Sequence, residues 1–356
     1  MTMNIISATR WTGPLSDEVR TTVDDHQVLT DVEHLLDKPE RTADDVFTAA
    51  NLLALILFRR RRGVEAEALC REERAAAIEA GAVDDRVHLA RFALQAQVNL
   101  IRLWGYGDRA DHALAELEQM ERLTTPGLGA RFDGLDLGAD TAEAMREAGV
   151  PLSTFAKNAV IVEVCKILWR HRRYEALSEH AERLRAKWPL RRSTLHHAHE
   201  VPWMLGRETT AFGGEHWQRL RKDLRTLAVV SRLHMLAAEV DREGRAGQDA
   251  DELVESVTGA DLAHAQPGTR MKCEAHLADT LLRMGSQEEA DRLLERVVAN
   301  RETAGDGQVR RGAFERLGRK PDSAPGPSND VIEELRLRVG LGLADVKRSR
   351  GRLVPP

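Results

Sequence analysis

Residues 193–220 read STLHHAHEVPWMLGRETTAFGGEHWQRL and hold the densest set of side chains able to do chemistry in this 356-residue chain. If Ser193 caps a helix, then His196, His199, Glu200 and Trp203 fall at i, i+3, i+4 and i+7, which is one helix face. His197 points elsewhere. Pro202 breaks or kinks that helix, and Gly206 loosens its exit. After a polar turn containing Gly213 and Gly214, Glu215 and His216 open the next helix. A hairpin of the two would bring His216 toward the face of His196 and His199.

Two chemistries fit that set. Neutral imidazoles and a carboxylate can hold zinc or a redox metal as three protein ligands with an open position, its identity being left open. Alternatively, a histidine oriented by Glu200 can serve as a general base. His196, His199, Glu200 and His216 are therefore the candidate catalytic residues. Arg191, Arg192, Trp203 and Trp217 are the candidate substrate contacts, because cations and indoles close together suit a polar or phosphorylated small molecule. The spacing matches no recognised signature, and the competing reading is a partly solvated structural helix face.

The rest of the chain holds no GxxxxGK[ST], no strand-associated GxGxxG, no GxSxG and no HExxH, so no cofactor is expected. Cys70, Cys165 and Cys273 are far apart and form no CxxC pair, which excludes a disulfide framework. They read as small apolar residues on helices. Asp44-Asp45 and similar acidic pairs read as helix starts.

The elements that must position these residues are helices. Charged residues make up 31% of the chain and aromatics only 4%, a balance that suits amphipathic helices rather than sheets. The net charge of −5 disfavours RNA as a partner. The most apolar run, LLALILF at 52–58, is far shorter than a membrane span of about 18 residues. The opening residues show no basic stretch followed by a long apolar one, so a cytoplasmic protein is expected. The dominance of arginine over lysine and the abundance of alanine point to a high-GC bacterial source.

Thr42 and Asp45 form a variant capping box opening a helix that stops near Gly63. A second helix follows at once, and the turn between them has Gly63 and Ala68 five apart. The same spacing recurs at Gly105 and Ala110, and at Gly285 and Ala290. A degenerate copy has His171 in the glycine slot and Ala176 closing. The glycine suits a tight reversal and the alanine a close helix approach.

These turns, best seen in HLADTLLRMGSQEEADRLLERVVAN at 276–300, resemble the junction between the two helices of a tetratricopeptide repeat. Gly63 and Gly105 stand 42 residues apart, whereas the family period is about 34. The family's aromatic signature positions are mostly missing. The resemblance implies an all-α fold of stacked α-hairpins, a helical repeat or superhelix, with a concave face for a protein or peptide.

The expected organisation is a helical-hairpin body over 16–300, a flexible loop at 301–329, a terminal helix at 330–347 and a basic tail at 348–356. Three functions are carried forward. The first is a helical-repeat binding or scaffold protein recognising a protein or small-molecule partner. The second is an all-α bacterial enzyme of specialised metabolism, of transferase or tailoring type, using the His196–His216 pocket. The third is a protein that takes RNA or an aminoacyl-tRNA.

Overall fold

The structure, a computed structural model, describes residues 25–60, 62–82, 84–188, 250–258, 262–263, 265, 267–300, 307–319 and 328–348, with the single positions 229, 233, 236, 237, 239 and 240. Its described helices are α1 (Asp25–Leu36), α2 (Ala43–Arg59), α3 (Gly63–Gly81), α4 (Ala90–Tyr106), α5 (Ala110–Arg122), α6 (Ala139–Glu147), α7 (Leu152–Arg170), α8 (Tyr174–Lys187), α9 (Ala250–Thr258), α10 (Pro267–Arg283), α11 (Gln287–Ala299), α12 (Gly307–Arg316) and α13 (Asn329–Arg348). The described residues are all-α apart from one small antiparallel hairpin, β1 (Ala130–Phe132) with β2 (Leu135–Leu137), in which Phe132 pairs with Leu135. No described helix is long and apolar enough to cross a membrane.

The described residues divide into two compact units: 25–167 with 328–348 in one, and those from 168 to 319 in the other. In the first, consecutive helices pack as pairs, α1 on α2, α2 on α3, α3 on α4 and α4 on α5. α2 begins at the Thr42 capping box, in which the Asp45 N–H donates to Thr42 Oγ1 and the Thr42 N–H to Asp45 Oδ2. Burial works against the charged form of Asp45, but hydrogen bonds from Lys38 and Thr42 outweigh it and hold its carboxyl below the ordinary value.

α13 lies far along the chain yet packs on α1, α2 and α3. Ile332, Leu335, Val339, Leu343 and Val346 form its buried face, and a Cβ on Gly342 would come within 3.1 Å of Val46. Ion pairs Arg336–Glu65, Arg62–Glu333, Arg338–Asp37 and Lys347–Glu79 border the contact. Arg59 and Arg60 likewise pair internally with Asp25, and Arg62 with Glu65.

In the second unit, α10 packs on α11 and α11 on α12. Leu277, Leu281, Leu293, Leu294 and Val297 share a core with Leu253 and Val257 of α9 and with Ala313 of α12. α12 lies inside the 301–329 stretch whose Gly and Pro content reads as a loop. The three cysteines are buried, and none is in a disulfide.

The recurring glycine does three different things. Gly285 adopts φ +82° between α10 and α11, a left-handed turn that favours glycine. Gly63 is the first residue of α3, and a Cβ there would meet nothing within 4 Å. Gly105 does not make the turn expected of it. It sits inside the end of α4, where a Cβ would fall 2.4 Å from Ile167 Cδ1 of α7, so its missing side chain permits helix packing. In the degenerate copy the positive φ belongs to Arg172, not His171.

Alanine substitution separates the three roles. Gly285→Ala should cost about 1 kcal/mol through backbone strain, and Gly105→Ala about 1–3 kcal/mol through overpacking. Gly63→Ala should be neutral or stabilising by up to about 1 kcal/mol. Urea denaturation measures the order; a Gly105 variant as mild as the Gly63 variant would refute the packing role.

Candidate functional site

Arg191, Arg192, His196, His199, Glu200, Trp203, His216 and Trp217 all lie outside the described residues. Among the described residues, no group of three or more His, Cys, Asp or Glu side chains could hold a metal. The polar chemistry that the described residues do bring together lies elsewhere, in two places.

The first is buried in the first unit, where apolar helix faces carry Asn51, Glu73, Asn99, Arg102 and Glu163. Asn51 Nδ2 donates to Glu73 Oε1 at 2.5 Å, and Asn99 Nδ2 donates to Asn51 Oδ1 at 2.7 Å. Arg102 donates to Asn99 Oδ1 at 3.2 Å and to Glu163 Oε1 at 2.7 Å. Tyr106 closes the chain, its hydroxyl donating to Glu163 Oε2 at 2.8 Å. This one hydrogen-bonded path joins α2, α3, α4 and α7.

Its two acids are shifted in opposite directions. Burial pushes the Glu73 carboxyl well above its ordinary value, the Asn51 amide only partly offsetting it. Its Oε2 has no hydrogen-bond partner, and burial of this kind favours the neutral acid. Glu163 is as deeply buried, and burial alone would raise it. Attraction to Arg102 and Lys166, with hydrogen bonds from Arg102 and Tyr106, holds it below the ordinary value as a carboxylate.

A second cluster fixes the β-hairpin. Arg74 donates to Gln97 and to the Asp133 carbonyl, Gln97 donates to Glu116, and Glu116 accepts the Asp133 N–H. Trp104, also fully buried, donates to Glu67, and the Arg71 and Arg109 guanidiniums lie over its ring. The cavity beside Cys70, Asn99 and Arg102 measures about 10 Å³, room for at most about one water molecule and too small for an organic ligand. These groups fasten helices.

The second place is open. Beside α10 and α11 of the second unit, Arg270, Glu274, Arg296, Ala299 and Asn300 line a cleft of about 380 Å³ with Leu262, Ala263 and Ala265. Glu274 is nearly buried and accepts from both Arg270 and Arg296. Its lining thus carries two guanidiniums and one carboxylate over an apolar floor, within the size range of small-ligand and peptide-side-chain pockets. In the sequence, only the i, i+4 spacing of Arg270 and Glu274 hints at it. Arg296 is brought in by the hairpin.

No protein-family model matches this sequence, and no curated protein or solved structure matches it either.

The buried acids give a pH signature. Because the folded-state pKa of Glu73 is raised, the native state holds a proton that the unfolded state releases, and stability falls as pH rises from the unfolded carboxyl pKa toward the folded one. Glu73→Gln should remove that slope, at most about 1.4 kcal/mol per pH unit, and Glu163→Gln, which orphans Arg102, should cost about 3–5 kcal/mol. Denaturant titrations from about pH 5 to about pH 8 read both; identical slopes for wild type and Glu73→Gln would show that Glu73 is ionised in the folded protein.

Proposed function

We propose that this protein is a helical-hairpin binding module of tetratricopeptide-like type, and that its cleft beside α10 and α11 takes an acidic segment of a partner protein. The observation that carries this reading is the pairing of Arg270 and Arg296 with Glu274 in the lining of an open cleft. A nearly buried carboxylate fixes both guanidiniums, so little rotamer freedom is lost when they meet a ligand. Guanidinium favours carboxylate partners because two parallel N–H donors match two oxygens. The apolar lining of Leu262, Ala263, Ala265 and Ala299 adds contact for an aliphatic side chain next to the acid.

Fluorescence polarisation with acidic, neutral and basic peptides of equal length tests this. The acidic peptide should bind best, and Arg296→Ala should weaken it at least about tenfold, the loss of one charge-assisted hydrogen bond. Added salt should weaken it further. Equal affinity for the three peptides, or an Arg296 variant that binds like wild type, would sink the reading. A small molecule that co-purifies with wild type and is lost from the His196→Ala/His199→Ala protein would favour an enzyme instead.

A further inference from the structure

α13 has two working faces. The buried one runs Ile332, Leu335, Val339, Gly342 and Val346, spaced three and four residues apart, and it covers the first unit. Two residues out of phase, about 200° around the helix, a second stripe repeats the same spacing: Glu334, Leu337, Leu341, Ala344 and Arg348. All five are exposed. Leu337 is 66% exposed and Leu341 56%, two of only five large apolar side chains so exposed among the described residues. A three-four spacing of apolar residues is the pattern of a helix–helix seam, and a Cβ on neighbouring Gly340 would meet nothing within 4 Å.

We infer that this stripe is the contact of a homodimer, in which α13 of one copy lies antiparallel to α13 of a second. The charge order selects that occupant and that direction. Asp330 and Glu334 stand at the N-terminal end of the stripe and Arg348 at the C-terminal end. Antiparallel pairing sets Leu337 and Leu341 against the partner's Leu341 and Leu337. It also brings Asp330 and Glu334 beside the partner's Arg348. Parallel pairing would set like charges together. The pattern is therefore self-complementary, as a two-fold interface requires. Arg348 already pairs with Asp345 within its own helix, a bond at the exposed surface that is weak enough to exchange. A seam this short makes a weak dimer, with dissociation in the micromolar to millimolar range.

Sedimentation equilibrium of the full chain up to about 1 mM tests the inference. Wild type should dimerise with concentration. Leu337→Gln/Leu341→Gln should weaken the dimer at least about tenfold with unchanged helicity, since both side chains are exposed. Asp330→Arg and Arg348→Glu should each weaken it, and the double charge swap should restore it to within about twofold. A wild type that stays monomeric throughout overturns the inference. So does a dimer indifferent to the leucine pair, or one that the charge swap fails to restore.

Discussion

Thirteen of the seventeen residues of α2 are buried, so this helix needs cover on nearly every side. One neighbour cannot supply that. α1 and α3 flank it in sequence, α4 sets Phe92 against Phe47, and further cover comes from α13, nearly three hundred residues further on. Much of the first unit follows from that requirement. The run LLALILF reads as a single apolar block because the helix it belongs to has no wet face. The apolar stripe of α13 is the complement of one side of it, and Gly342 lets the two backbones close over Val46.

Apolar burial alone would leave the packing of these helices loosely specified, since similar aliphatic faces can slide past one another. The polar chain from Glu73 through Asn51, Asn99 and Arg102 to Glu163 removes that freedom. Each member is buried, and each makes a hydrogen bond to a residue on another helix or one turn away. A slip by one residue would strand the Arg102 guanidinium or the Glu163 carboxylate away from water, at a cost of several kcal/mol. Glu73 contributes differently: burial favours its neutral form, which adds a hydrogen bond without adding a charge. Two glutamates in one network thus shift in opposite directions because only one has a cation beside it.

What is local was legible. The Thr42 and Asp45 capping box stands three residues apart and forms as its spacing implies. The helix boundary at Gly63 and the turn at Gly285 follow from residue type alone. What depends on distant partners was not. Asn51 and Glu73 are 22 residues apart, and Arg102 and Glu163 are 61 apart; in sequence each looks like one more polar residue on an amphipathic helix. Gly105 shows the same limit from the other side. Its spacing copies the turn glycines, yet its reason lies in Ile167 on α7. The cleft depends on Arg296 meeting Glu274 across a hairpin turn, and the histidine-rich segment at 196–216 stands outside the described residues.

The cover of α2 by α13 also sets an order in time. A ribosome delivers about 5–20 residues per second, so about 15–60 s separate the synthesis of Val46 from that of Val346. Through that interval the nascent chain carries an apolar helix with one flank open, while everything from α8 to α12 is still being made. Residues 168–326 must emerge, and can begin to fold, before the first unit is complete. Their length therefore acts as a delay line: nascent α2 is exposed to chaperones and to self-association for as long as the intervening segment takes to translate.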